Sequence, residues 1–193
     1  MRLFRNLSLT ALLATGLVAQ PASAIEFTQV QAEKSRLTFV FKQMGVSVDG
    51  RFRRFPTQLR FDPAKPAAAM AQMDIDLGSI DAGSPEANDE VAGKAWFNTK
   101  AFPTARFTAS SIKPLGGYSY EIAGKVSIKG NTRDVTAPAT VRLEGNTAII
   151  DGALTLKRAD FAIGEGMWAD FGTVANEIQV KFHLVALAPA TKK

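Results

Sequence analysis

The acid–base chemistry open to this chain is limited by a single histidine and by the complete absence of cysteine. His183 alternates with the apolar residues Phe182 and Leu184, which predicts that it lies on the polar face of a strand. A zinc site of the usual kind cannot be assembled from one histidine, and no serine lies in a nucleophile-elbow motif. These residue types therefore indicate no zinc site and no catalytic histidine, cysteine or serine.

Three carboxylates lie close together in the sequence, at Asp74, Asp76 and Asp81. The first two are two residues apart, so they share one face of a strand, and the third follows in a turn. Such a group can bind calcium or act as a pair of acids. The alternative is a polar strand face that points to solvent, and on this interpretation we expect no catalytic residue and no metal ligand.

Basic and aromatic residues alternate between residues 51 and 55, where Arg51, Arg53 and Arg54 are interleaved with Phe52 and Phe55. Guanidinium groups bind diphosphates and anionic membrane surfaces, and the alternative is an ordinary solvated strand face. Interleaved arginine and phenylalanine can also bind single-stranded nucleic acid. The net charge of +5 is small for that role, and we expect no nucleic-acid partner.

Strands must position these side chains, because apolar residues recur at every second position in segments separated by glycine-containing turns. The clearest segments are 36–41, 118–128 and 176–185. We count eight or nine antiparallel strands, with hairpin turns at 116–117, 130–131 and 145–146. A chain built this way must pack two sheets together or close one sheet on itself, so the fold class is all-β.

One short helix is predicted around residues 85–96. Ser84 is a suitable N-cap, and Pro85 suits the first helical position. Glu86 places negative charge in the first turn, where it complements the helix dipole. We expect the helix to end near Trp96.

The first 24 residues have the pattern of a secretory signal peptide. Arg2 and Arg5 precede a mostly apolar run over 7–19, and Ala22-Ser23-Ala24 supplies small residues for cleavage. We expect cleavage after Ala24, a single domain over 25–193, and a periplasmic location.

Four segments carry a resemblance to a known family: "DLGSIDAG" (76–83), "NDEVAGKAWFNTKAFPTARFTA" (88–109), "YEIAGKVSIKGNTRDVTAP" (120–138) and "LKRADFAIGEG" (156–166). In these segments the chain resembles the YceI-like proteins, which bind polyisoprenoids and isoprenoid quinones. The resemblance implies an eight-stranded antiparallel, lipocalin-like barrel whose pore holds a long isoprenoid chain. It also implies binding or carriage of that lipid, with no enzymatic activity and no separate cofactor.

Phenylalanine is abundant, at 13 residues, and apolar side chains on the inner strand faces would line such a pore. We expect two arginines, Arg53 and Arg54, to meet the lipid head group and Trp168 to close one end, as part of a mobile lid or by ordinary loop packing. The expected pore residues are Phe39, Phe41, Met44, Phe52, Phe55, Ile75, Leu77 and Phe97.

A different class of function is also open. If the phenylalanine side chains fill the barrel, the protein would be a non-catalytic interaction module that docks on a membrane redox complex. Transient contact with a membrane surface is compatible with either function. The sequence leaves the oligomeric state undecided.

Overall fold

The computed structural model describes residues 25–189, and within this range the chain forms antiparallel strands and one α-helix. The signal-peptide prediction for residues 1–24 lies outside the described residues. The strands are β1 (Gln29–Val30), β2 (Arg36–Gln43), β3 (Val46–Phe52), β4 (Thr57–Arg60), β5 (Met70–Asp76), β6 (Ile80–Asp81), β7 (Thr104–Gly116), β8 (Ser119–Ile128), β9 (Asn131–Glu144), β10 (Thr147–Lys157) and β11 (Glu177–Leu187), and helix α1 is Pro85–Ala92.

The described strands form one curled sheet in the order β4-β5-β7-β8-β9-β10-β11-β2-β3-β6, and β1 adds to β11. Beyond β3, the backbone N–H groups of Asp74 and Asp76 donate to the carbonyls of Pro56 and Arg54, each at 3.0 Å. Segment 46–60 therefore acts as one long strand that joins the two ends of the sheet. This confirms the all-β, antiparallel, lipocalin-like architecture with one short helix.

The strand count differs slightly from the predicted eight because two very short strands are added and one long strand is divided. Strands β1 and β6 have two residues each. The interruption between β3 and β4 contains Pro56, which has no backbone N–H to donate to a neighbouring strand. The chain is therefore irregular over residues 53–56, between β3 and β4.

The three predicted hairpin turns lie where glycine residues allow the backbone to take positive φ. Gly117 has φ +56°, Gly130 has φ +78° and Gly145 has φ +62°. Because other residues rarely adopt this conformation, each glycine fixes where its hairpin reverses. The turns join β7 to β8, β8 to β9, and β9 to β10.

The start of helix α1 is as predicted, but its predicted end near Trp96 is wrong. Ser84 Oγ accepts a hydrogen bond from the N–H of Ala87 at 3.2 Å, as an N-cap does. The helix ends at Ala92 because Gly93 is extended, with ψ of 170°, and glycine is a poor helix former. Between residues 25 and 189 no helix is long and apolar enough to cross a membrane.

The inward-facing apolar side chains form two clusters at different heights in the barrel. The first cluster surrounds Phe27 and Phe61, which are 1% and 2% exposed. The second surrounds Trp96 and Phe161 and includes residues of the segments that follow α1 and β10. The site described next lies between these two clusters.

Candidate ligand-binding cavity

A cavity of about 240 Å³ lies inside the barrel. Its walls include members of both core clusters, among them Phe61 and Leu184 from the first and Phe161 and Val174 from the second. One continuous space therefore runs between the two clusters. The described side chains do not fill this barrel.

The cavity is apolar because strand alternation turns one face of each strand inward. On β11, Val180, Phe182 and Leu184 line the cavity, while Lys181 and His183 do not. Apart from Thr57, Gln72 and Arg158, every lining residue is apolar. Such a surface is suited to an apolar ligand, because it offers burial and almost no hydrogen bonds.

Six of the predicted pore residues line the cavity: Phe39, Phe41, Phe52, Ile75, Leu77 and Phe97. Their aromatic rings are in contact. The Phe39 ring centroid lies 5.3 Å from that of Phe52 and 6.2 Å from that of Phe41, and Phe52 meets Phe97 edge-on at 6.3 Å. The structure therefore brings together residues that are far apart in the sequence into one aromatic wall.

The other two predicted pore residues, and Trp168, which was expected to close one end, are not among the residues that line the cavity. Met44 is 78% exposed because it sits in the tight turn between β2 and β3, with φ of 51°. Phe55 packs against the first core cluster at the bend beside Pro56. Trp168 packs against Trp96, with ring centroids 5.5 Å apart, so it covers a residue that lines the cavity.

The predicted head-group arginines are both engaged in ion pairs on the outer surface. Arg53 Nη2 lies 2.8 Å from Asp81 Oδ2, and Arg54 Nη2 lies 2.7 Å from Asp76 Oδ2. The hydrogen bond from Arg53 is the main reason why the pKa of Asp81 is lowered. Neither arginine lines the cavity, and a head group would have to compete with these carboxylates.

The remaining titratable residues that the sequence indicated also lie in surface pairs. Asp74 accepts a hydrogen bond from Arg106, which lowers the pKa of Asp74. His183 Nδ1 lies 2.6 Å from Asp151 Oδ1 on the neighbouring strand. No group of three His, Cys, Asp or Glu residues that could hold a metal ion occurs in the described chain.

A residue that the sequence did not indicate, Arg158, organises the covering segment, residues 158–176 between β10 and β11, which closes one end of the barrel. It is only 2% exposed, and its guanidinium donates to backbone carbonyls rather than to a carboxylate. The acceptors lie between 2.7 and 3.5 Å away: Ile163, Gly164, Trp168, Asp170, Val174 and Ala175. Burial is the main reason why the pKa of Arg158 is lowered.

Lys129 attaches this covering segment to the rest of the barrel. Its ammonium group donates to the carbonyls of Ala162 and Lys94, and to the carboxylate of Glu165 at 2.7 Å. The backbone N–H groups of Gly164 and Glu165 both donate to the carbonyl of Ala95 at 2.8 Å. The covering segment is therefore held against the chain that follows α1.

A curled antiparallel barrel with an apolar interior defines this chain as a lipocalin-like β-barrel domain. It belongs to the YceI-like domain family, whose model matches residues 29–186. The crystal structure of Burkholderia cenocepacia BcnA is similar at 48% identity, with a TM-score of 0.80, over 82% of this chain and 99% of that one.

Two further relatives are more distant. A UPF0312 protein of Azotobacter vinelandii is 27% identical over 178 residues, which cover 89% of each chain. A polyisoprenoid binding domain from Saccharophagus degradans has 20% identity and a TM-score of 0.66, and the match covers 86% of this chain and 100% of that one. The second likeness concerns the fold.

Proposed function

We propose that this protein holds a long-chain isoprenoid lipid, either an isoprenoid quinone or a polyprenyl phosphate, inside the barrel. One observation carries the proposal: a single apolar cavity runs between two core clusters and is walled by the Phe39, Phe41, Phe52 and Phe97 rings. The name of the structural neighbour from Saccharophagus degradans, a polyisoprenoid binding domain, agrees with this ligand class.

The energetics favour an enclosed site for such a ligand. Each buried methylene contributes roughly 0.8 kcal/mol, so a long tail gains much more inside a barrel than on an open surface. The cavity volume of about 240 Å³ is below the range of about 300–1,000 Å³ for pockets that hold drug-sized ligands. We therefore expect a long tail to displace lining side chains or to extend past the barrel end.

Binding and carriage suit this cavity better than catalysis. Arg158 is the one titratable residue among its lining residues, and each nitrogen of its guanidinium already donates to backbone carbonyls. No lining side chain is thus placed to give or accept a proton from a bound lipid.

Native mass spectrometry of gently purified protein tests the proposal. We expect a hydrophobic molecule to co-purify with the protein. After delipidation, we expect the protein to take up a long-tailed isoprenoid quinone. A clean ligand-free mass together with no uptake of the added quinone contradicts the proposal.

Export to the periplasm is part of the same proposal, since a shuttle for membrane lipids needs an aqueous compartment between membranes. Its support is the signal pattern of residues 1–24. Periplasmic extracts are expected to contain a protein whose N-terminal residue is Ile25. Recovery in the cytosol with Met1 intact contradicts it.

Docking on a membrane redox complex and contact with a membrane surface stay predictions. A pull-down from membranes, done before and after delipidation, distinguishes docking through the protein surface from docking through a bound lipid. Loss of the partner on delipidation favours a lipid-mediated contact.

A further inference from the structure

Three phenylalanine rings that line the cavity lie directly on glycine residues of a neighbouring strand. Phe182 lies on Gly152, Phe39 on Gly50 and Phe107 on Gly124. In the first two cases the residues are direct cross-strand partners. Direct partners project side chains onto the same face of a sheet, so each of these rings occupies the space of its partner's missing side chain.

The contacts leave no room for a Cβ atom on the glycine unless the ring or the neighbouring backbone moves. A Cβ atom on Gly152 would overlap the Phe182 ring, with Cε1 and Cε2 both 2.8 Å away. A Cβ on Gly50 would overlap the Phe39 ring and would lie 2.9 Å from the carbonyl oxygen of Asp81. Each ring therefore packs flat against the barrel wall.

The first two pairs lie at successive heights along the bore, that is, along the apolar cavity inside the barrel. Phe182 is the partner of Leu37 on β2, and Phe39 is the partner of Val180 on β11. The Phe107 pair adds a third ring on the wall formed by β7 and β8. At each of these places the barrel wall carries one flat ring instead of two side chains. The centre of the barrel is therefore left open.

We propose that these ring-on-glycine pairs set the width of the bore, and that Gly152 is a specificity-determining residue that admits methyl-branched chains. An isoprenoid tail carries methyl branches and needs a wider bore than a straight hydrocarbon chain. A side chain at Gly152 pushes the Phe182 ring into the cavity and excludes the branched chain first. This inference rests on the proposed function and identifies what selects the ligand class.

Gly152 offers the sharpest test of the three glycines. All three atoms nearest to its added Cβ belong to the Phe182 ring, so a substitution moves a side chain and not the backbone. At Gly124, by contrast, an added Cβ would lie 2.5 Å from the carbonyl oxygen of Thr108. A Gly124 substitution would therefore disturb the sheet as well as the bore.

The experiment compares geranylgeraniol with hexadecanol, two alcohols whose main chains have equal length and which differ in methyl branches and unsaturation. Binding to delipidated protein is followed by tryptophan fluorescence, because Trp96 lines the cavity. We expect Gly152→Ala to weaken geranylgeraniol binding by about tenfold, the usual scale of overpacking, and to leave hexadecanol binding within about threefold of wild type.

Two further variants keep the proposal testable if Gly152→Ala folds poorly. Phe182→Leu removes the ring and widens the bore, so the affinity ratio of geranylgeraniol to hexadecanol is expected to rise. The double variant Gly152→Ala with Phe182→Leu removes the clash and is expected to return the ratio toward wild type.

The outcomes separate this inference from the proposed function. An unchanged affinity ratio in both single variants, measured on protein that binds geranylgeraniol, overturns the inference alone. If the wild-type protein binds neither alcohol and no isoprenoid quinone, the proposed function fails and the inference fails with it.

Discussion

The indole N–H of Trp168 donates a hydrogen bond to Glu90 Oε1 at 2.7 Å. Trp168 belongs to the segment that covers one end of the barrel, and Glu90 belongs to helix α1. The bond therefore joins two elements separated by 78 residues in sequence. Because Trp168 also packs on Trp96, this contact helps to fix the cover over the cavity.

Loss of this bond is expected to loosen the cover. Glu90→Ala removes the acceptor, and a hydrogen bond to a charged group contributes about 1 kcal/mol or more. We expect about fivefold faster hydrogen exchange at the N–H groups of Gly164 and Glu165. Glu90→Gln keeps an acceptor oxygen and serves as the control. Equal protection in Glu90→Ala and wild type would mean that the bond does not hold the cover.

Arg158 is expected to be the most important polar residue for stability. Arg158→Ala leaves several buried carbonyls without a donor, at a cost of about 3 kcal/mol or more in the free energy of unfolding. Arg158→Lys keeps the charge but supplies fewer donors, so its stability should be intermediate. Urea unfolding measures both variants.

An exposed arginine provides the comparison for Arg158. Arg133 donates only to the carbonyl of the adjacent Thr132. Arg133→Ala is expected to change the free energy of unfolding by less than about 0.5 kcal/mol. Similar losses at Arg158 and Arg133 would show that the buried carbonyl contacts contribute little.

The pair between Arg53 and Asp81 predicts a specific acid response. The hydrogen bond from Arg53 lowers the pKa of Asp81 below its ordinary value of 3.8, so folding favours the charged carboxylate. This contribution is present above pH 3.8 and is lost as the pH falls through the lowered folded-state pKa. Between about pH 4 and pH 2, wild type should lose more stability than Asp81→Asn.

Urea midpoints measured across this range check the acid response. Because the pair is exposed, the difference is expected to be small. Arg53→Ala removes the main donor and should flatten the pH profile, but less than Asp81→Asn does, because Arg51 and the N–H of Gly83 still donate to Asp81. Parallel profiles for wild type and both variants contradict the prediction.

Filling the cavity should abolish lipid binding without unfolding the protein. Ala137 is 5% exposed and lines the cavity. Ala137→Phe places a ring in the bore, at a stability cost of about 1–3 kcal/mol. We expect at least about tenfold weaker binding of a long-tailed isoprenoid quinone, measured by native mass spectrometry.

Ala153 is the matched control for this variant. It is the partner of Lys181, which does not line the cavity, so it lies on the outer face of β10. Ala153→Phe adds the same ring outside the barrel and should bind lipid as wild type does. Equal lipid loading in Ala137→Phe would place the ligand somewhere other than this cavity.

Much of the fold was readable from local pattern. Two-residue alternation predicts strands such as β8 and β11, and glycine turns locate the hairpins between β7 and β10. Ser84 and Pro85 predict where α1 begins. The helix end was missed because the signal for it, Gly93, lies in the middle of a segment that otherwise favours helix.

The residues of the candidate site can be divided in the same way, into those that strand alternation predicts and those without a local pattern. Phe39, Phe41 and Ile75 lie on strands, where alternation determines which face turns inward, so their places in the cavity wall were predictable. Met44 and Trp168 lie in a turn and a short 3₁₀ segment, which have no such period. The expected places of Met44 in the pore and of Trp168 at one end therefore had no local pattern to support them.

The alternating strands, their turns and therefore an apolar inner face follow from the amino-acid sequence alone. Three further features are visible only in the folded chain: the inner face encloses a cavity, the Phe182 ring packs on Gly152, and Arg158 is buried among carbonyls. These features depend on which segments meet in space. Alternation fixes the side of a strand on which a residue lies, but the partner it meets there is set by the register of the closed sheet.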